Sequence, residues 1–345
     1  MADSLDRTAS DRLGFEIGAL DAWMTAQVDG YAGPLEVRRF QGGQSNPTFH
    51  LLTPGRQYVL RRKPPGKLLA SAHAVDREFR VISALHPAGF PVPRPYALCE
   101  DEAVIGTMFY VMELVDGRIL RDPLLPTCSP ADRRAIWLDM VRVLADLHSR
   151  DHRALGLETF GRGENYLARQ IDRWTRQYRA SETERHETIE RLIGWLPRTA
   201  PANSRTCLVH GDFKIDNVVI DPVLPEVKAV LDWELSTIGD PLGDFTYLMM
   251  NWVSGPIADL PDLAAHGVPT LDECVAEYCR LTGRDGLPDL NWCFAYNFFR
   301  LACILQGIVG RARDGTANSP EAASMALRVP VLADAAWRFA VKAGA

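Results

Sequence analysis

The sequence predicts an α+β fold with two lobes, a small N-terminal lobe built on an antiparallel β-sheet and a larger C-terminal lobe made mainly of helices. Two observations support this prediction. Short strand-like runs separated by turn residues fill the region from Leu35 to Arg62, whereas apolar residues recur at helical spacing through most of the chain after the Asp116-Gly117 turn. We therefore expect an N-terminal lobe over residues 1–115 and a C-terminal lobe over residues 116–345.

The N-terminal lobe should contain a leading helix, several strands and a second helix. Apolar residues recur at helical spacing from Leu13 to Met24, and this pattern ends near Gly30. The runs LEVRRF, PTFHLL and QYVLRR are joined by the turn segments GGQSN and TPGR, which is typical of an antiparallel meander. A helix is then predicted from Ala74 to Leu85, and the run TMFYVMELV predicts another strand.

Helices should dominate the C-terminal lobe. Residues 130–149 and 164–196 carry apolar patterns with a period of about 3.6 residues. The segments TCLVHGDFKIDNVVID and EVKAVLDWELS predict two short strand pairs that flank loops. From residue 257 onward only helices and Pro/Gly turns are expected.

Composition and charge exclude several classes of protein. The chain has 345 residues, of which 47% are hydrophobic and 24% are charged, as in ordinary globular proteins. A net charge of −6 gives no basic field for nucleic acid or an anionic membrane, so neither partner is expected. The most apolar late stretch, residues 294–309, is interrupted by polar residues and is shorter than the ~20 residues that a membrane span requires.

Cysteine usage and the N-terminal residues predict a cytoplasmic protein. The seven cysteines are an odd number and include no CxxC pair, which fits a reducing compartment. The first residues, MADSLDRTASDRLG, are polar and acidic and do not form a secretory signal. The sequence leaves the oligomeric state open.

The strongest local signal is the loop HGDFKIDN, residues 210–217, between two strand-like runs. Phosphoryl transfer needs a carboxylate that accepts the proton of the acceptor hydroxyl, together with oxygen ligands for a hard cation that bridges the phosphates. Asp212 and Asn217 are five residues apart, as such a loop requires, and Asp232 follows 20 residues after Asp212 at the end of a predicted strand. We therefore expect Asp212 to be the catalytic base and Asn217 and Asp232 to bind Mg²⁺.

HGDFKIDN followed by LDWE resembles the catalytic and metal-binding loops of the aminoglycoside phosphotransferase and choline kinase-like family, whose members are relatives of protein kinases. The resemblance covers most of the chain and implies a two-lobed protein kinase-like fold that uses ATP and Mg²⁺. Two segments, YVLRRKPPGKLLASAHAVDREFRV and FGRGENYLARQIDRWTRQY, look most similar to kinase-like domains fused to acyl-CoA dehydrogenases, which phosphorylate hydroxyacyl-CoA.

The resemblance also implies which residues bind the nucleotide. The segment GGQSN is similar to the nucleotide loop of the family, which implies that Gly43, Ser45 and Asn46 contact phosphate. The segment VMELVDG resembles the hinge of the family, so Glu113 and Leu114 are expected to bind the nucleotide as well.

Two further cations are expected near the phosphates. Arg61 of YVLRR stands where kinases place a lysine, and Glu78 of REFRVISAL is its expected partner. Strand alternation places Arg61 and Arg62 on opposite faces but does not decide whether Arg61, Arg62 or Lys63 points inward. Lys214 matches the lysine of the protein-kinase catalytic loop and is expected beside the transferring phosphoryl group, the alternative being a solvated loop lysine.

The acceptor should be a small molecule with a hydroxyl group. GDPLGD begins seven residues after Asp232 and no APE sequence occurs, which leaves too little chain for the peptide platform of protein kinases. Arg169 and Arg173 lie on one face of a predicted helix and would suit the phosphates of CoA, but a solvated charged helix has the same spacing. Glu234 could face either the metal or the acceptor.

One aspartate and two histidines favour structural roles over metal binding. Asp244 precedes an apolar run and is expected to cap that helix and to brace the catalytic loop. His148 and His152 are four residues apart without a third ligand nearby, so a structural or surface role is favoured over zinc binding.

These motifs leave three functions to compare. The leading hypothesis is an ATP- and Mg²⁺-dependent small-molecule kinase, with a hydroxyacyl-CoA as a candidate acceptor. The runner-up is an aminoglycoside or choline/amino-alcohol kinase, whose cationic acceptor would require an acidic pocket. The non-enzymatic alternative is a pseudokinase that binds nucleotide or acts as a scaffold, although the intact Asp212, Asn217 and Asp232 argue against it.

Overall fold

The computed structural model describes residues 13–40, 46–64, 74–201, 205–315 and 322–345. The chain divides into two compact units. The first unit comprises Met1–Leu120, Arg153–Glu158 and Asp216–Ser236, and the second comprises Arg121–His152, Thr159–Ile215 and Thr237–Ala345. The boundary after residue 115 stays a prediction.

A five-stranded antiparallel sheet forms the centre of the first unit. Its strands are β1 (Glu36–Arg39), β2 (Thr48–Leu52), β3 (Gln57–Arg62), β4 (Pro95–Cys99) and β5 (Phe109–Glu113), in the spatial order β1-β2-β3-β5-β4. The predicted meander corresponds to β1, β2 and β3. Strand β4 was not predicted, and it lies at the edge of the sheet, where a proline such as Pro95 is tolerated.

The two faces of this sheet are covered differently. Helix α1 (Ile17–Gln27) packs on one face, where Leu20 and Met24 join a buried apolar cluster that includes Leu60 of β3. Because side chains alternate along a strand, Arg61 projects from the opposite face. Arg62 points toward the segment before α1, where its Nη2 donates to the carbonyl oxygen of Leu13 at 3.1 Å.

Three further elements complete the first unit. Helix α2 (Val75–Leu85) carries Glu78 in its first turn, and the hairpin of β7 (Val218–Ile220) and β8 (Val227–Val230) belongs to the same unit. The amide of Val230 donates to the carbonyl oxygen of Pro91 at 2.8 Å, which ties the hairpin to the segment after α2.

The second unit consists mainly of helices around one short strand pair. Strands β6 (Cys207–Val209) and β9 (Thr237–Gly239) pair in antiparallel fashion. The helices are α3 (Pro130–Ser149), α4 (Tyr166–Ser181), α5 (Glu187–Thr199), α6 (Pro241–Leu248), α7 (Met250–Val253), α8 (Leu271–Thr282), α9 (Leu290–Arg313) and α10 (Ala322–Lys342). The continuous pattern seen over residues 164–196 is therefore divided between α4 and α5.

Helix α9 is the central helix of the second unit. It has 24 residues and a mean hydropathy of 1.3 over its most apolar window, and among the described residues it alone is long and apolar enough to cross a membrane. It is thus longer than the stretch 294–309 indicated. Since 78% of that window is buried inside the protein, α9 has the character of a core helix. Its polar residues bond to other elements: Asn297 donates to the carbonyl oxygen of Gly243 at 2.8 Å, and Gln306 to that of Ser181 at 2.7 Å.

Candidate active site

In the first unit, Arg61 lies among three carboxylates. Its Nη2 is 2.6 Å from Oδ1 of Asp232 and 3.4 Å from Oε2 of Glu234, and its Nε is 3.1 Å from Oε2 of Glu78. Asn46 reaches the same group, since its Nδ2 donates to Oε1 of Glu78 at 2.9 Å. The structure thus brings together five residues that the sequence assigned to nucleotide, metal or substrate, and Arg61, not Arg62, is the arginine that meets Glu78.

Burial and neighbouring charges shift the pKa values of two residues in this cluster. Burial raises the pKa of Glu78 to about 7; Arg61 opposes this rise, whereas Asp232 and Glu234 add to it. Burial would lower the pKa of Arg61, but the carboxylates of Glu78 and Asp232 raise it. Burial is thus the main cause of the shift at Glu78, whereas the three carboxylates that share one guanidinium favour the charged form of Arg61.

Local backbone geometry positions the two predicted metal ligands. Asp232 follows β8 and has a left-handed φ of 65°, a conformation that aspartate adopts more readily than most residues. The amide of Leu231 donates to the carbonyl oxygen of Asn217 at 2.8 Å, so the end of the 210–217 loop is held to the residue before Asp232. Asn217 is buried, with 9% of its surface exposed.

In the second unit, Asp244 braces the start of the same loop. The amides of His210 and Gly211 both donate to its carboxylate, and His148 Nε2 lies 3.4 Å from it. Burial would raise the pKa of Asp244, but the hydrogen bond and charge of His148 hold it below its ordinary value. The predicted brace is observed. The predicted cap is not, because Asp240 caps α6 by accepting from the amide of Leu242 at 2.8 Å.

The proposed base Asp212 has two polar neighbours in the second unit. Lys214 Nζ lies 3.4 Å from Oδ2 of Asp212, and its role beside the phosphoryl group stays a prediction. The phenol of Tyr247, on α6, hydrogen bonds to the Asp212 carboxylate. Burial, followed by the negative charge of Asp212, raises the pKa of Tyr247, so this phenol stays protonated and can donate.

The other predicted site residues lie away from the Arg61 cluster and from Asp212, or are not among the described residues. Gly43 and Ser45 lie outside the described residues. Glu113 and Leu114 line a cavity of about 550 Å³ together with the β2–β3 turn and the start of β4. Arg169 and Arg173 are exposed on α4, where Arg169 donates to the carbonyl oxygen of Arg162.

Sequence reasoning missed three residues of these groups. Tyr110 stands opposite Arg61 in the β3–β5 register, and its hydroxyl lies 3.2 Å from Oε2 of Glu78. Strand pairing between QYVLRR and FYVME would have indicated it. Tyr247 and Arg300 are brought to the loop by packing of helices from later in the chain, and the charged Arg300 within an apolar helix was the available signal for the second of them.

Comparison with known proteins shows the family to which the chain belongs. The profile of the Phosphotransferase enzyme family matches residues 36–278, so the chain belongs to this family of phosphotransferases. Solved structures agree in fold: a spectinomycin phosphotransferase crystallised with ADP and spectinomycin has a TM-score of 0.62 at 11% identity and covers 94% of this chain and 98% of its own. Choline kinase LicA from Streptococcus pneumoniae has a TM-score of 0.60 at 14% identity, covering 93% and 98%. The predicted kinase-like α+β fold is confirmed.

Proteins with higher sequence identity to this chain include acyl-CoA dehydrogenase family members. The chain is 46% identical over 318 residues to acyl-CoA dehydrogenase family member 10 of Mus musculus, covering 90% of this chain and 30% of that protein. It is 43% identical over 331 residues to member 11 of Rattus norvegicus, covering 93% and 42%. A crystallised protein of Ralstonia eutropha JMP134, provisionally named an aminoglycoside phosphotransferase, has 47% identity and a TM-score of 0.87, covering 95% and 99%. The chain thus spans less than half the length of these curated relatives, and the predicted similarity to acyl-CoA dehydrogenase family proteins is confirmed.

Proposed function

We propose that this protein is an ATP- and Mg²⁺-dependent kinase that transfers the γ-phosphoryl group to the hydroxyl group of a small molecule. The observation that carries the proposal is the cluster around Arg61, in which Glu78, Asp232 and Glu234 meet one guanidinium. Three carboxylates exceed what one cation neutralises, and carboxylate oxygens are the ligands that Mg²⁺ prefers. The cluster therefore suits a divalent cation.

The ligand set fits Mg²⁺ in number as well as in type. Mg²⁺ in kinases is held by one or two protein ligands together with substrate phosphates, so two protein ligands are sufficient. Asp232 and Asn217 would supply the protein ligands, and bound Mg²⁺ would offset the charge of the phosphates during transfer.

The other residues have roles that follow from their charge and position. Arg61 would bind the phosphates, with Glu78 holding its side chain in place and Asn46 holding Glu78, and Gly43 and Ser45 would contribute from the segment before β2. Glu113 and Leu114 would bind the nucleotide base. Asp212 would take the proton from the acceptor hydroxyl as its oxygen attacks the γ-phosphorus, and Lys214 would stabilise the phosphoryl group as the bond to ADP breaks.

A hydroxyacyl-CoA is the acceptor that we favour. The support is the identity of 40% or more between this chain and parts of acyl-CoA dehydrogenase family members over at least 90% of its length. A kinase domain in the same chain as an enzyme of acyl-CoA metabolism would be expected to phosphorylate the same class of compound. We also propose a cytoplasmic location.

The test is ATP consumption by the purified protein in the presence of MgCl₂. The acceptor panel should contain hydroxyacyl-CoAs with the hydroxyl at C2, C3 or C4, choline and kanamycin, and mass spectrometry should identify the phosphorylated product. Asp212→Asn is the control for catalysis by trace kinases. Transfer to choline or kanamycin alone would favour the runner-up, and MgATP binding without transfer to any of these acceptors would favour a pseudokinase.

A further inference from the structure

A buried arginine in the second unit has no role in the proposal above. Arg300 lies in the middle of α9 and only 6% of its surface is exposed. Its Nη2 donates to the carbonyl oxygen of Gly211, the residue before Asp212. A guanidinium carries five N–H donors, so this bond leaves most of its donor capacity for other partners.

The surroundings of Arg300 do not neutralise its charge. Its guanidinium lies 5.0 Å from the ring centroid of Tyr247 and 5.6 Å from that of Trp174. Among the described residues no carboxylate forms an ion pair with it, and its buried Nε has no hydrogen-bond partner. Aromatic rings attract a cation, but they do not replace an anionic or carbonyl partner. Because a buried charge is costly without a compensating partner, an acceptor oxygen from a ligand would suit this guanidinium.

The unused N–H donors of Arg300 lie near Asp212, the proposed catalytic base. The guanidinium bonds to Gly211, the residue before Asp212 in the chain. It also lies over the ring of Tyr247, whose hydroxyl hydrogen bonds to Asp212. Although burial alone would lower the pKa of Arg300, the neighbouring tyrosines and Asp212 raise it, so the side chain remains a cation. A substrate hydroxyl at Asp212 would therefore lie near a fixed positive charge.

We propose that Arg300 is an acceptor-binding residue that receives a carbonyl or anionic oxygen located close to the hydroxyl that is phosphorylated. This inference rests on the proposed kinase function and names the acceptor class: hydroxyacyl thioesters or hydroxy acids fit, whereas amino alcohols and aminoglycosides bring a positive charge toward Arg300 and are disfavoured. Selection of the acceptor near its hydroxyl would then depend on this buried group, whereas the exposed Arg169 and Arg173 would bind only the phosphates of CoA.

The experiment is a cycle that combines one change in the enzyme with one change in the acceptor. The acceptors are the hydroxyacyl-CoA that the wild type phosphorylates fastest and its thioether analogue, in which a methylene replaces the thioester carbonyl. The free hydroxy acid of the same chain length separates a carboxylate from a thioester as the source of the oxygen. The enzymes are the wild type, Arg300→Met, which keeps an unbranched side chain but removes the charged end of the guanidinium, and Arg300→Lys. Arg311→Met is the control because Arg311 lies on the same helix but is exposed.

In the wild type, removal of the carbonyl should lower kcat/KM at least tenfold, and in Arg300→Met the same removal should change it less than threefold. Arg300→Met should raise the KM for the thioester at least tenfold and leave the KM for ATP within twofold, and Arg300→Lys should recover part of the loss. A role confined to positioning the loop would instead lower kcat equally for both acceptors, and that result would overturn the proposal.

Two outcomes separate this inference from the function on which it rests. If the wild type phosphorylates none of the hydroxyacyl compounds, the proposed function fails in its acceptor class. If the wild type phosphorylates the thioester and the thioether equally well, only the role of Arg300 fails. This second comparison needs no variant, so it also decides the matter if Arg300→Met does not fold.

Discussion

The free energy of unfolding should fall as the pH rises from about 4.5 to 7, because of Glu78. Its carboxyl group is 1% exposed, and burial raises its pKa from the ordinary 4.5 to about 7. A carboxyl group whose pKa is raised in the folded state binds its proton more tightly there than in the unfolded chain. The stability that this provides is complete below pH 4.5 and is lost as the pH rises through 7.

The size of the effect follows from the shift. Each pH unit between the two pKa values changes the free energy of unfolding by about 1.4 kcal/mol, so the range from 4.5 to about 7 corresponds to about 3 kcal/mol in total. Glu78→Gln removes the titration and keeps a side chain of the same shape, whose amide oxygen can still accept a hydrogen bond from Asn46 or Tyr110.

The assay is urea unfolding of the wild type and Glu78→Gln at pH 5, 6, 7 and 8, in buffer with EDTA. The difference in unfolding free energy should shift in favour of Glu78→Gln by about 2.5 kcal/mol between pH 5 and pH 8, because part of the total is already lost at pH 5. Glu226→Gln, at an exposed position in the same unit, controls for the substitution itself. A difference that stays constant from pH 5 to pH 8 would show that Glu78 does not titrate in this range.

Three further predictions concern the proposed chemistry. Asp212→Asn should lower turnover by roughly 10²–10⁴-fold and leave ATP affinity nearly unchanged, as measured by steady-state kinetics and calorimetric titration; unchanged turnover would remove Asp212 from the mechanism. Asp232→Ala should abolish Mg²⁺-dependent nucleotide binding in the same titration, and normal MgATP binding would contradict its role as a ligand. Replacing Arg169 and Arg173 together by Ala should raise the KM for an acyl-CoA at least tenfold and make binding less sensitive to salt if they meet CoA phosphates, whereas an unchanged KM would leave them as solvated surface residues.

Strand alternation predicted that Arg61 and Arg62 face opposite ways but could not decide which one meets Glu78. The residues before them, Val59 and Leu60, are both apolar, so the sequence pattern does not show which face of β3 is covered by α1. The choice is made by α1, which covers the face of Leu60 and leaves Arg61 on the other side. Such a choice depends on contacts distant in sequence.

The break between α4 and α5 could not be predicted from the apolar pattern. Tyr178 of α4 and Ile189 of α5 are both buried and are 11 residues apart, which equals about three helical turns, so the apolar period continues across the break. The chain leaves helical geometry at Glu182 and re-enters it after His186, and neither is a glycine or proline that would mark an end. The loop HGDFKIDN was predictable because its chemistry depends on spacing within eight residues. Arg300 was not, because its partner Gly211 is 89 residues away.

Arg61 and Arg300 carry the same charge, yet their surroundings favour opposite ligands. Three carboxylates surround Arg61 and leave an excess of negative charge, so a phosphate group would be repelled until a divalent cation reduces that excess. Arg300 has two aromatic rings and one carbonyl oxygen around it, and its charge attracts an electron-rich oxygen directly. Nucleotide binding to the residues of the first unit should therefore depend strongly on Mg²⁺, whereas recognition of the acceptor oxygen by Arg300 should not. The local balance of charge, more than the type of residue, decides which ligand each arginine can bind.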